Sequence, residues 1–114
     1  MNMNIKSESK IQQEIVMWYK NAFCLIHHNP RRMILSIPNE GSQGRIGNLQ
    51  QTGLYSGAAD LLVIHNTIIF VECKDDKGTQ KPKQINFQQH CEQMGIDYHI
   101  VRSLQDFKDV ILNL

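Results

Sequence analysis

Two short runs of apolar, strand-forming residues constrain the fold of this chain more than any other feature. The runs are Leu61–Ile64 and Ile68–Cys73, and only the tripeptide His-Asn-Thr at positions 65–67 separates them. Residues of this kind favour β-strands, and a polar connection this short favours a hairpin turn. The sequence therefore predicts two antiparallel strands joined by a tight turn.

The open end of this predicted hairpin carries charge. Asp60 precedes the first strand, while Glu72 and Lys74 stand at the end of the second. Because one antiparallel strand begins beside the end of the next, the turn brings Asp60 near Glu72 and Lys74. Two close carboxylates repel each other unless something compensates them. A cation such as Mg²⁺ or a structural salt bridge with Lys74 would do so, and the spacing alone leaves both open.

The rest of the pattern predicts one α/β domain over residues 9–114, after a flexible N-terminal stretch at 1–8. Helical periodicity follows Ser9 and Gln12, a candidate capping box, and continues to about residue 25. Further elements are a strand at 33–37, a short helix at 44–51, a helix from Pro82 to Gly95, a strand at 98–101 and a helix after Ser103. The order α-β-(α)-β-β-α-β-α predicts a mixed sheet flanked by helices.

Composition narrows the class of protein. With 114 residues, 41% of them hydrophobic, the chain can bury one real core. No apolar run is long enough to cross a bilayer, and the N-terminus lacks the apolar region of a secretory signal. Three cysteines without regular spacing argue against a disulfide framework, so we expect a cytoplasmic protein without a membrane partner.

A cluster of lysines and a third acid, Glu14, also bear on the predicted acidic pocket. The net charge of +1 indicates no partner, yet lysines cluster after the hairpin and predict a basic rim. Glu14 lies at the flank of the apolar stripe of the first predicted helix. Its side chain either reaches water along the helix edge or joins the acids of the hairpin.

The spacing Asp60-x(11)-Glu72-Cys73-Lys74 resembles the PD-(D/E)xK nuclease signature. A longer series resembles the VRR-NUC (virus-type replication-repair nuclease) family, whose fold is restriction-endonuclease-like. It comprises PNEG followed by Arg45, GLYSGAADLL, FVECKDDKG, Gln84 opening a helix, Gly95 and IVRSLQD, within residues 10–110. Ala58-Ala59 stands where the family usually has a glycine–proline pair, a departure that affects turn geometry more than chemistry.

This resemblance implies a metal-dependent nuclease. Asp60, Glu72 and the backbone carbonyl of Cys73 would bind Mg²⁺ or Mn²⁺, and Glu14 would join them as a catalytic residue and metal ligand. Lys74 would orient the attacking water and stabilise charge on the phosphate, with Gln84 positioning Lys74 or the water. Candidates for contacts to DNA phosphates are Asn39, Arg45, Lys77, Lys81 and Lys83.

Stand-alone members of the family look like small phage or prophage resolvases of four-way (Holliday) junctions that act as homodimers. The resemblance therefore favours a structure-selective endonuclease, because a two-fold dimer offers two sites to two equivalent strands. A nicking or flap endonuclease of the same fold is one alternative. A non-catalytic DNA-binding module is another, although its acids would repel DNA in the absence of metal.

Overall fold

The computed structural model describes residues 6–25, 32–38 and 53–114. The mixed α/β class predicted from the sequence is confirmed, whereas the short helix predicted at 44–51 lies outside these ranges. The elements, in chain order, are α1 (Glu8–Tyr19), a π-helical turn (Lys20–Leu25), β1 (Met33–Ser36), β2 (Leu61–Ile64), β3 (Ile68–Cys73), α2 (Pro82–Gln93), β4 (Asp97–Val101) and α3 (Leu104–Leu112).

Four strands form one sheet in the order β1-β2-β3-β4. Strand β2 pairs antiparallel with both β1 and β3, whereas β4 runs parallel to β3 after the crossover through α2. The backbone N–H of His65 donates to the carbonyl of Thr67 at 3.0 Å, which confirms the predicted hairpin turn. Because Leu61 pairs with Val71, residue 60 lies beside the end of β3.

Helices cover the sheet from both sides. On one face, the buried residues of α1 and α3 pack against the alternate apolar residues of the strands. This core contains Ile11, Ile15, Tyr19, Ile34, Leu61, Val63, Ile69, Val71, Cys73, Val101, Phe107 and Ile111. On the other face, a smaller cluster forms where Phe87 and Cys91 of α2 meet Ala59. Within the described ranges, no helix has the length and apolar character needed to cross a bilayer.

The first helix begins two residues earlier than the sequence predicts, whereas the helical segment continues to Leu25, as predicted. The Ser7 hydroxyl accepts a hydrogen bond from the backbone N–H of Lys10 at 3.1 Å, so Ser7 is the N-cap and Glu8 opens the helix. The predicted capping by Ser9 is therefore wrong, because a serine two residues earlier supplies the cap oxygen. Beyond Tyr19 the helix widens into the π-helical turn Lys20–Leu25.

The later helix boundaries agree with the sequence. Pro82 is the first residue of α2, and Gly95, with φ of +73°, follows its C-terminus. The Ser103 hydroxyl accepts from the backbone N–H of Asp106 at 3.0 Å, which confirms the predicted cap of α3. Three of these ends are therefore set by local residue chemistry: a first-turn proline, a glycine with positive φ and a serine cap.

The loop before β2 approaches the start of α2 closely. Gly57 has φ of +85°, and a Cβ atom at this position would overlap the backbone carbonyl of Lys83. Only glycine meets both conditions without strain. This contact fixes the loop that leads into Asp60.

We expect Gly57→Ala to destabilise the fold more than Gly95→Ala. Both substitutions place an alanine in the left-handed region, which costs about 1–2 kcal/mol. Gly57→Ala adds the overlap with Lys83, whereas a Cβ at Gly95 has no described atom within 4 Å. Urea denaturation of the two variants measures the difference in free energy of unfolding. Equal losses would contradict the close packing of this loop.

Candidate active site

Asp60 is fixed at the end of the hairpin by a backbone contact. Its Oδ2 atom accepts a hydrogen bond from the N–H of Cys73 at 2.8 Å. Burial raises the pKa of the Asp60 carboxyl, and this N–H opposes the effect because it stabilises the ionised form. The carboxylate therefore keeps a defined position beside β3.

Glu72 is the most deeply buried acid of the site, with a relative exposure of 1%. Its Oε2 atom accepts from the Gln84 amide at 3.2 Å and lies 3.5 Å from the Lys74 ammonium. Its Oε1 atom is buried and has no hydrogen-bond partner in the described part of the chain. Burial first, and then the charge of Asp60, raise the pKa of Glu72 to about 8, against the opposing effect of Lys74.

Lys74 and Gln84 form a short network beside these acids. The Lys74 ammonium, with the residue only 4% exposed, donates to the Gln84 side-chain oxygen at 2.8 Å. The same oxygen accepts from the backbone N–H of Lys81 at 2.9 Å, which anchors the Gln84 amide in the first turn of α2. Lys74 and Glu72 thus form an ion pair, but this pair leaves Glu72 Oε1 unsatisfied. The salt bridge alone does not compensate the acids.

The structure does not bring Glu14 to this cluster. Both carboxylate oxygens of Glu14 bind the Lys6 ammonium, at 2.8 and 3.0 Å. Glu14 lines a different cavity, together with Met17 and Trp18. The reason is its place on the helix, since Glu14 lies to the side of the buried stripe that faces the sheet.

Glu8 is the acid of α1 that faces the site. It lines one cavity with Asp60 and Glu72, and its negative charge adds to burial and Asp60 in raising the pKa of Glu72. The sequence contains a signal for this placement. Glu8 precedes the buried Ile11 by three residues and the buried Ile15 by seven. This spacing places all three residues on one face of the helix.

The acids open into two adjoining hollows. The first, of about 620 Å³, lies toward α2, and the second, of about 720 Å³, lies between α1 and β1. Glu8 and Asp60 line both hollows, so together they form one trough across the acids. The trough is lined toward α2 by Tyr55, Lys81, Lys83 and Gln84 and toward β1 by Gln12, Gln13, Lys20 and Ser36.

The residues expected to contact DNA divide into three groups. Lys81 and Lys83 line the hollow toward α2. Lys77 lies in the turn after β3, where its backbone N–H donates to Asp75 Oδ1 at 3.1 Å, and the described lining of the trough does not include it. Asn39 and Arg45 lie outside the described residues.

The chemistry of these groups fits a hard cation that keeps water ligands. Across residues 6–25, 32–38 and 53–114, no three His, Cys, Asp or Glu side chains form a ready-made metal site. Two carboxylates with one unsatisfied buried oxygen match Mg²⁺, which commonly takes one or two carboxylates and several waters. Cys73 is buried in the main core and burial raises the pKa of its thiol, so its backbone carbonyl remains as the candidate ligand.

We expect Glu72→Gln to stabilise the metal-free protein at alkaline pH. The pKa of Glu72 is about 4.5 in the unfolded chain and about 8 in the folded protein. Its contribution to the free energy of unfolding is therefore fully present below pH 4.5 and is lost as the pH rises to about 8, because the folded protein must then ionise a buried carboxyl. The neutral amide of Glu72→Gln does not ionise, so we expect its free energy of unfolding at pH 8.5 to exceed that of the wild-type protein by about 1–3 kcal/mol.

Urea denaturation in EDTA at pH 5.5 and pH 8.5 measures this effect. The matched control is Glu14→Gln, which removes a carboxylate outside the trough. An equal response of Glu72→Gln and Glu14→Gln to pH would contradict the strained burial of Glu72.

Comparison with known proteins supports the fold over almost the whole chain. No protein-family model matches the sequence, and no curated protein matches it significantly. A solved structure described as a VRR_NUC domain protein has a TM-score of 0.74 at 16% identity, over 96% of this chain and 88% of the other. A second, described as a VRR_NUC domain, has a TM-score of 0.58 at 22% identity, over 93% and 96%. The chain therefore has the fold of VRR_NUC domains.

Proposed function

We propose that this protein is a VRR-NUC endonuclease that hydrolyses phosphodiester bonds of branched DNA with the help of Mg²⁺ or Mn²⁺. One observation carries the proposal: the buried Glu72 has an unsatisfied oxygen beside a second acid, Asp60, and a buried ammonium, Lys74. A domain that needed only packing or DNA affinity would gain nothing from this arrangement. The fold shared with VRR_NUC domains supports the same assignment.

The proposed metal ligands are the two carboxylates and the backbone at the end of the hairpin. Asp60, Glu72 and the carbonyl of Cys73 would hold the ion, and Glu8 would hold a metal-bound water or a second ion. We transfer to Glu8 the role first expected for Glu14, because Glu8 lines the trough. A bound divalent ion lowers the pKa of water and neutralises charge that develops on the phosphate.

Lys74 has the chemistry needed beside such a phosphate. Its ammonium is buried and directed by Gln84, so it can donate to a phosphate oxygen or orient a water molecule. Gln84 is a positioning residue, since its anchored amide contacts both Lys74 and Glu72. Lys81 and Lys83 would bind flanking phosphates, because backbone charge supplies most of the affinity for nucleic acid.

Four-way junctions are the preferred substrate in this proposal, and a homodimer is the preferred active form. The support is the resemblance to small junction resolvases together with symmetry, since two related sites suit two equivalent strands. Nicked or flapped DNA would use the same chemistry with a single site.

A cleavage assay tests the proposal with labelled four-way junction, flap, nicked and linear duplex DNA in Mg²⁺, Mn²⁺ or EDTA. We expect paired, symmetric cuts in the junction that EDTA abolishes, and a particle of twice 13.2 kDa by light scattering. Asp60→Asn should lose at least about 100-fold in rate while still binding the junction, because it removes a charge needed only for the metal and chemistry.

Two other outcomes of the assay would change the proposal. Cleavage of flaps or nicked duplex instead of junctions would keep the chemistry and replace the substrate. DNA binding without cleavage in any metal would establish the non-catalytic module and overturn the proposal.

A pair of glutamates on α1 tests which helix acid serves the site. We expect Glu8→Gln to lower the cleavage rate at least about 10-fold and to raise the Mg²⁺ concentration needed for half-maximal rate, because it removes a charge from the trough. Glu14→Gln should leave both quantities within about twofold, since Glu14 pairs with Lys6. The reverse result would return the role to Glu14.

A further inference from the structure

Tyr55 is an exposed aromatic residue on the wall of the acid trough. Its relative exposure is 38%, and it lines the hollow that contains Asp60 and Glu72. It also borders the neighbouring hollow beside Pro82 and Lys83. An exposed ring in a hollow lined by acids and lysines is not explained by the phosphate chemistry of the site.

Two side chains of α2 hold the ring in place. The Tyr55 hydroxyl lies 3.1 Å from His90 Nδ1, and the ring meets Phe87 edge-to-face, with centroids 5.0 Å apart and planes at 83°. The His90 ring contacts Tyr55 at its hydroxyl, and the two rings are tilted by 43° with centroids 5.9 Å apart, so they are not stacked face to face. An edge-to-face contact occupies at most one aromatic face. At least one face of Tyr55 is therefore not covered by these two partners.

The backbone around Tyr55 is fixed as well. The carbonyl of Tyr55 accepts from the N–H of Ala58 at 3.0 Å, and Gly57 lies against the backbone of Lys83. The ring is thus a pre-ordered surface, and binding to it requires little ordering of the protein.

We propose that Tyr55 is a stacking platform for an unpaired base next to the phosphate that is cleaved. This inference rests on the proposed nuclease function and specifies its substrate class. Bases inside a duplex are stacked and paired, so their faces cannot reach an aromatic side chain without being extruded. The preferred DNA therefore carries an unstacked nucleotide at the cut, as at a fork, a bulge or the centre of a junction.

The space and charge around the ring suit one nucleotide. A hollow of about 620 Å³ lies in the size range of sites for small organic molecules. Lys81 and Lys83 line it near the acids, so a phosphate and its base can be bound by different walls. Stacking of a base on an aromatic side chain is worth about 5- to 150-fold in affinity.

The competing explanation is that Tyr55 only covers Phe87 and completes the small core beneath α2. That role depends on apolar bulk and is indifferent to whether the DNA has bases. The two explanations therefore predict different results when the bases are removed from the DNA. Only a stacking role makes the affinity depend on the bases.

A binding cycle makes this test with two single-stranded probes of equal charge, a labelled thymidine decamer and a decamer of abasic tetrahydrofuran sites. Fluorescence anisotropy in EDTA excludes turnover. We expect the wild-type protein to bind the thymidine decamer about 5- to 150-fold more tightly. Tyr55→Phe should keep this ratio, while Tyr55→Leu and Tyr55→Gln should reduce it to near one. Met94→Ala, an exposed site at the other end of α2, is the control that keeps it.

If the wild-type protein binds the thymidine and abasic decamers with equal affinity, the proposal is overturned whatever the variants do. Equal weakening of both probes by Tyr55→Leu also overturns it, because the role is then structural. Cleavage of junctions or flaps separates this inference from the proposed function. Metal-dependent cleavage with no base-dependent ratio leaves the nuclease and removes the platform, whereas a base-dependent ratio without cleavage leaves the platform and removes the nuclease.

Discussion

The burial of Glu72 beside the half-buried Asp60, at one end of a hairpin, is the constraint around which the rest of the structure is arranged. Asp60 and Glu72 cannot both be ionised there without compensation, and burial raises the pKa of each. A backbone N–H, an amide and an ammonium remove part of the repulsion, yet one Glu72 oxygen stays unsatisfied. The fold thus maintains a local destabilisation of the kind that functional sites commonly carry.

The topology of the sheet places further polar groups at this end of the hairpin. Strand β4 runs parallel to β3, which requires a crossover, and α2 is that crossover. Because α2 starts near the end of β3, its first turn delivers Gln84 to the acids. Arg102 stabilises the intervening loop by donating to the carbonyls of Asp75 and Gly78, each at 2.8 Å. The crossover loop therefore joins the site to the end of β4.

The parts of the site that the sequence predicts well are those fixed by local rules. Strand alternation and a two-strand register determine that Asp60 lies beside Glu72, and a proline at the start of α2 determines where Gln84 emerges. Glu8 lies on the face of α1 that carries Ile11 and Ile15, but a helix starting at about residue 10, as the sequence predicts, leaves Glu8 outside it. Tyr55 follows no periodicity, since it lies in a glycine-containing loop whose path is set by contact with α2.

The site is divided between a contiguous part of the chain and a distant helix. Asp60, Glu72, Lys74 and Gln84 fall within one β-β-α segment, whereas Glu8 reaches them only because α1 packs on the sheet. Helix ends fray at lower free energy than hairpins buried in a core. Unwinding of the first turn of α1 would withdraw Glu8 and widen the trough while the remaining acids stay in register. The first turn of α1 is thus the part of the site that we expect to open at the lowest free energy, and amide exchange at the start of α1 would measure it.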